Sequence, residues 1–160
     1  MTKPAFDVIA RLRGRTLATA ESITGGGIGA ALTAVPGSSA VYLGGIISYD
    51  SRVKRDLLGV SRKDLETLGA VSAPVAVQMA LGARKAIGAE IALSVTGLAG
   101  PGGDEFGHAV GTVFIGYADR RTAFAREYHF SGSREAVREQ TVETALRLVL
   151  EQMDREEGKA

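Results

Sequence analysis

The chain has 160 residues, 45% hydrophobic and 23% charged, ordinary values for one globular core and too apolar for a disordered chain. Its 19 Lys and Arg against 18 Asp and Glu leave a formal charge of +1, so nothing draws it generally to nucleic acid or an anionic membrane, and any anion site must be local. Zero cysteine removes disulfides, thiolate metal sites and a cysteine nucleophile, and two histidines, His108 and His129, are too few for a zinc cluster.

Residues 1–16 carry no continuous apolar stretch of the kind that targets or anchors a chain, and a cytoplasmic location with no membrane partner is expected. Phe6, Ile9, Ala10 and Leu12 predict a short amphipathic helix ended by Gly14, followed by a buried strand at Leu17–Ala20. Ile28, Ala31, Leu32 and Val35 have helical spacing and stop at Pro36 and Gly37. A second strand is predicted over Val41–Tyr49, then a helix to Leu58 capped by Asp50 or Ser51, and a short helix opened by Ser61 and Asp64. Ala73–Ile87 predicts a helix with Pro74 in its first turn, and Ile91–Val95 a strand that runs into a loop, Thr96–His108. Val110–Tyr117 and Thr122–Phe130 read as a hairpin, and Ser133–Met153 as the longest helix. The order predicts one α/β domain over 1–160, a three-layer α/β/α arrangement with a mixed β-sheet, and a polar tail, 154–160, that frays.

The 21 glycines are clustered into built loops rather than spread as in a linker. In Ala20-Glu21-Ser22-Ile23-Thr24-Gly25-Gly26-Gly27 a serine leaves a strand where backbone amides gather at a helix start, a setting for a phosphate or a developing oxyanion. The plainer reading is that Ser22 and Thr24 cap the helix and the glycines allow close packing. The segment is neither a Gly-x-Ser-x-Gly elbow nor a phosphate-binding loop nor a dinucleotide fingerprint.

Lys54 falls near a helix start beside Arg52 and Arg55, and both the helix dipole and the like charges disfavour its ammonium. Such a lysine can deprotonate a serine without histidine, whereas the bland alternative is a solvated surface lysine. Ser51-x-x-Lys54 has the serine-lysine spacing of penicillin-binding enzymes, but their Ser-Asp-Asn and Lys-Thr-Gly companions are missing. The run Ser94 to Gly103 is rich in backbone donors that can surround a phosphate or sugar, or it is a simple glycine turn. Arg134 and Arg138 lie one turn apart near the start of the last helix, placed for a phosphate, or else for pairing with Glu135 and Glu139 at a solvated face.

Ala20-Glu21-Ser22-x-Thr24-Gly25-Gly26, Pro36-Gly37-Ser38-Ser39-Ala40, Ser48-Tyr49-x4-Lys54, Gly69-Ala70-Val71-Ser72, Thr96-Gly97-x-Ala99-Gly100-Pro101 and Val110-Gly111-Thr112-Val113 occur in this order over nearly the whole chain. Together they resemble the CinA C-terminal domain family. The resemblance implies nicotinamide-nucleotide amidase activity: hydrolysis of nicotinamide mononucleotide to nicotinate mononucleotide and ammonia, a pyridine-nucleotide salvage step needing no cofactor and no metal. It places the nucleophile on Ser22, the base on Lys54, and further site roles on Tyr49, Thr96 and Arg138, with Arg134 the alternative to Arg138. Thr24, Gly25, Gly26, Gly97 and Gly100 are expected to shape the substrate site. The partner implied is a small pyridine mononucleotide, and a homo-oligomer is expected. Longer family members add an N-terminal domain similar to molybdopterin-binding proteins; for these 160 residues only the amidase half is implied. Ile23 stands where the family often has cysteine. The alternative in another class is a non-catalytic nucleotide-binding or regulatory module built on the same loops.

Overall fold

A computed structural model describes residues 1–158. Thr2 caps the first helix, α1 (Lys3–Arg11), by accepting from the Ala5 amide, and Pro4 fits its opening turn, so the helix starts ahead of Phe6, where its apolar periodicity begins. Next come β1 (Leu17–Glu21), buried throughout, and α2 (Gly27–Thr33). A single 3-10 turn at Ser38–Ala40 leads to β2 (Tyr42–Ile47). The predicted strand to Tyr49 stops at Ile47, and beyond it the Ser48 and Tyr49 carbonyls accept from the Lys54 ammonium. Asp50, not Ser51, caps α3 (Ser51–Leu58), accepting from the Arg52 amide at 2.7 Å. Ser61 caps α4 (Arg62–Thr67), and α5 (Ala73–Ile87) has its predicted bounds. β3 (Ile91–Gly97) runs two residues longer than read, since Thr96 and Gly97 pair with Phe114 and Val113 of β4 (Thr112–Ala118). β5 (Ala123–His129) closes the hairpin, and Ser133 caps α6 (Arg134–Glu156).

The sheet order is β2-β1-β3-β4-β5. β1 runs parallel to both β2 and β3, while β4 and β5 pair antiparallel, which makes the sheet mixed. Alternation along the strands sends successive side chains to opposite faces. On one face Leu17, Leu93, Ile115 and Tyr117 pack with Val8 of α1, Leu32 of α2 and Val149 of α6. On the other, Ala18, Ala20 and Ala92 pack with Val75 and Met79 of α5 and Leu58 of α3, with Leu65 of α4 at the margin. This is a single α/β domain with three layers.

The alanines of the second face let α5 sit close to the sheet, and Gly82 lets α3 sit close to α5. A Cβ at Gly82 would stand 2.7 Å from the Leu58 carbonyl carbon and 2.8 Å from its Cα, distances that real side chains do not tolerate. The position of α3, and of the lysine it carries, is therefore set by bare backbone against backbone.

Of the tail expected to fray, 154–160, the structure describes residues 154–158. α6 continues to Glu156, and Asp154 and Glu157 pair with Arg11 while Glu156 pairs with Arg15. These cross-links to the first turns of the chain hold polar residues that composition alone marks as solvated. Residues 159–160 of that expectation lie outside the described residues.

Candidate functional site

Ser22 follows β1 directly, and its amide still donates to the Val95 carbonyl at 3.0 Å, as a further rung of the parallel ladder. Alternation places its side chain on the α3 and α5 face, like Ala18 and Ala20, while Thr19 and Glu21 face α2. Asp50 starts α3 so that Lys54 points inward at the end of β1. The Lys54 ammonium donates to Ser22 Oγ at 3.0 Å, to the Ser48 carbonyl at 2.7 Å and to the Tyr49 carbonyl at 3.1 Å. Only 1% of Lys54 and 8% of Ser22 is exposed.

Burial pushes the Lys54 pKa down from 10.5 to about 8, against the opposing pull of Asp50. The direction is the expected one, and the cause is different. Arg52 and Arg55 point away from the lysine and toward Asp56, so desolvation rather than like-charge repulsion weakens the ammonium.

Above the pair lies a cleft of about 290 Å³. Its lining includes Tyr49 and Ile23, the loop residues Ala70 and Val71, and Thr96, Gly97 and Gly100. Thr96 donates its hydroxyl to the Ala70 carbonyl at 2.8 Å, which ties two of these lining segments together. The Tyr49 side chain is 64% exposed, and its hydroxyl accepts from Arg134 at 3.4 Å instead of approaching Ser22 or Lys54. It is the Tyr49 main-chain carbonyl that touches the lysine.

The two arginines separate cleanly. Arg134 lines the cleft and donates to the Gly100 carbonyl at 2.6 Å, bridging to Tyr49 across the mouth. It pairs with no carboxylate among the described residues. Arg138 lies behind the turn, donating to the Ile23 and Thr24 carbonyls at 3.1 Å each, and with Thr24 and Gly27 it borders a separate hollow. Gly25 and Gly26, in left-handed backbone at φ 57° and 102°, form the turn without lining the cleft.

The amide-rich start of α2 is largely spent within the protein. Gly25 and Gly27 donate to the Ser22 and Thr24 carbonyls, and Ile28 and Gly29 donate to the Glu21 carboxylate. The Thr24 and Gly26 amides donate to no other group among the described residues, so only part of the expected anion setting is taken up by the buried acid. Sequence reasoning also missed the Ser48 carbonyl, since main-chain acceptors leave no side-chain pattern. Among the described residues no cluster of three or more His, Cys, Asp or Glu is placed to hold a metal ion, and no helix is long and apolar enough to cross a membrane.

A mixed three-layer α/β domain with a buried serine-lysine pair where parallel strands end defines a class in which side chains rather than a phosphate loop shape the site. The family profile of the CinA C-terminal domain matches residues 3–153, and the chain belongs to that family. A CinA-like protein from Rippkaea orientalis is 47% identical over 86% of this chain and 34% of its own length, and one from Gloeothece citriformis is 57% identical over 66% of this chain and 25% of its own. The chain thus spans a quarter to a third of these curated relatives. Among solved structures, a CinA superfamily protein from Klebsiella pneumoniae superposes with a TM-score of 0.93 at 34% identity, covering 96% of this chain and 97% of the other. A competence/damage inducible protein from Agrobacterium tumefaciens does so at 0.86 and 38%, covering 94% and 96%.

Proposed function

We propose that this domain is a hydrolase that cleaves the carboxamide of nicotinamide mononucleotide, giving nicotinate mononucleotide and ammonia. The family resemblance supplies the substrate and supports an enzymatic role. The observation that carries the chemistry is the buried Lys54 amine, its proton held weakly, 3.0 Å from the Ser22 hydroxyl.

A neutral amine has two hydrogens and one lone pair. With the Ser48 and Tyr49 carbonyls accepting the two hydrogens, the lone pair is left to the third neighbour, Ser22, as a base requires. Ser22 Oγ attacks the carboxamide carbon as its proton passes to Lys54, and the carbonyl oxygen becomes an oxyanion. Ile23 borders the cleft, and its amide donates to no other group among the described residues; we assign the oxyanion to it. The Lys54 proton then goes to the leaving nitrogen, the C–N bond breaks, and ammonia departs from an ester on Ser22. Water attacks that ester, gives its proton to Lys54, and the returning proton restores Ser22.

Arg134 is the group we assign to the substrate phosphate. A guanidinium held, among the described residues, by a carbonyl and a phenol can trade those neutral partners for an anion. Arg138 and Thr24 support the nucleophile turn from behind, and Thr96, Gly97 and Gly100 shape the wall. The test is formation of ammonia and nicotinate mononucleotide from nicotinamide mononucleotide by purified, chelator-treated protein, with Ser22→Ala as control. Equal amounts of both products, lost in the variant, are expected. Thermal stabilisation by the mononucleotide without ammonia release would overturn the hydrolase and favour a binding module.

A further inference from the structure

Glu21 is only 2% exposed, and among the described residues no cation pairs with it. Its carboxylate is satisfied by four neutral donors. Oε1 accepts from the Thr24 hydroxyl at 2.6 Å and the Ile28 amide at 2.8 Å, and Oε2 accepts from the Gly29 amide at 3.0 Å and the Thr19 hydroxyl at 3.3 Å. Thr19 in turn shares a 2.7 Å hydrogen bond with the Tyr42 hydroxyl of β2. At its own backbone, the Glu21 carbonyl accepts from the Ser48 amide at 2.8 Å, and the Ser48 carbonyl accepts from Lys54.

One residue therefore joins β1, the turn after it, the first turn of α2 and the segment that holds Lys54. A buried carboxylate costs stability unless its hydrogen bonds are made, and once they are made its geometry is rigid. We propose that Glu21 is a positioning residue for the hydrolase: from the sheet face opposite Ser22 it locks the turn that fixes the Ser22 hydroxyl against Lys54. This rests on the proposed hydrolase for its turnover readout alone. Glu21 acts through placement and not through charge on the base: its link to Lys54 runs through the Ser48 backbone, whose amide donates to the Glu21 carbonyl and whose carbonyl accepts from Lys54.

Glu21→Gln keeps the shape and replaces one acceptor oxygen by an NH2 group, which must then face either Thr24 and Ile28 or Thr19 and Gly29, donor against donor. The experiment labels Ser22 with a fluorophosphonate, whose endpoint counts competent sites and whose rate reports placement, at a temperature where circular dichroism shows the variant folded. We expect a full endpoint, a labelling rate lower by about 10- to 100-fold, a kcat per labelled site lower to match, and KM within about twofold of the parent. The pH midpoint of labelling stays where it was. Thr24→Val, which removes one donor and leaves the acid, serves if Glu21→Gln does not fold, with a rate loss of about 3- to 10-fold.

Labelling and turnover per site equal to the parent in the variant that folds would overturn the proposal, as would a displaced pH midpoint, which signals action on Lys54. A parent protein that labels at Ser22 yet releases no ammonia would sink the amidase reading while leaving the labelling comparison intact.

Discussion

Two buried charged groups stand on either side of β1, and they are built in opposite ways. Glu21 is given four neutral donors and the start of a helix, so its charge is met from every side. Lys54 is given two carbonyls and a hydroxyl, and burial still holds its pKa down to about 8. β1 thus stands between a charge that is secured, on the strand itself, and one on α3 that is held loosely. What distinguishes the two sides is the quality of solvation by the protein, not the depth of burial, since both residues are almost fully enclosed.

The sharpest way to break the comparison is to remove the poised charge. Lys54→Met is expected to lower kcat by about 10³-fold or more, with ammonia release as the measurement. In the parent, kcat/KM should climb about tenfold per pH unit up to near pH 8 and then level, because the proton must leave Lys54 before it can accept one. A flat profile from pH 6 to 9 would contradict a lysine base.

Stability offers the next largest effect. In the unfolded chain Lys54 keeps its proton up to pH 10.5, and in the folded chain it loses it near 8. Between those values the unfolded state binds more protons, so stability must rise with pH. Relative to Lys54→Met, the parent should gain about 2 kcal/mol from pH 8 to 10, readable as a growing gap between their chemical denaturation curves.

The two arginines sharpen the contrast between binding and support. Arg134→Ala should raise KM for the mononucleotide about tenfold with a smaller change in kcat. Arg138→Ala removes two hydrogen bonds to the turn after Ser22 and should lower the melting temperature by a few degrees, about 1 kcal/mol, with KM within twofold. The reverse pattern would return the phosphate to Arg138.

Much of this was legible in the residues. The α5 bounds, the strand-turn-helix around Ser22 and the β4-β5 hairpin follow from periodicity and from Pro and Gly placement. The proximity of Ser22 and Lys54, 32 residues apart, came through resemblance, because no local pattern encodes which strand lies beside which. The choice between Arg134 and Arg138 could not be read, since both share a helix face and only the path of the turn decides which one meets the cleft. Glu21 looked like part of a motif, and its four partners emerge only when β1, α2 and β2 are assembled.

The early end of β2 has an effect outside the cleft. β2 is an edge strand with one neighbour, and it exposes Leu43 and Ile47, the kind of border on which a foreign chain can template. That border ends at Ile47, and the next two carbonyls, of Ser48 and Tyr49, are occupied by the Lys54 ammonium. Losing the lysine would cost more than a base: it would unblock a sticky margin, and concentrated Lys54→Met should aggregate at protein levels where the parent stays clear.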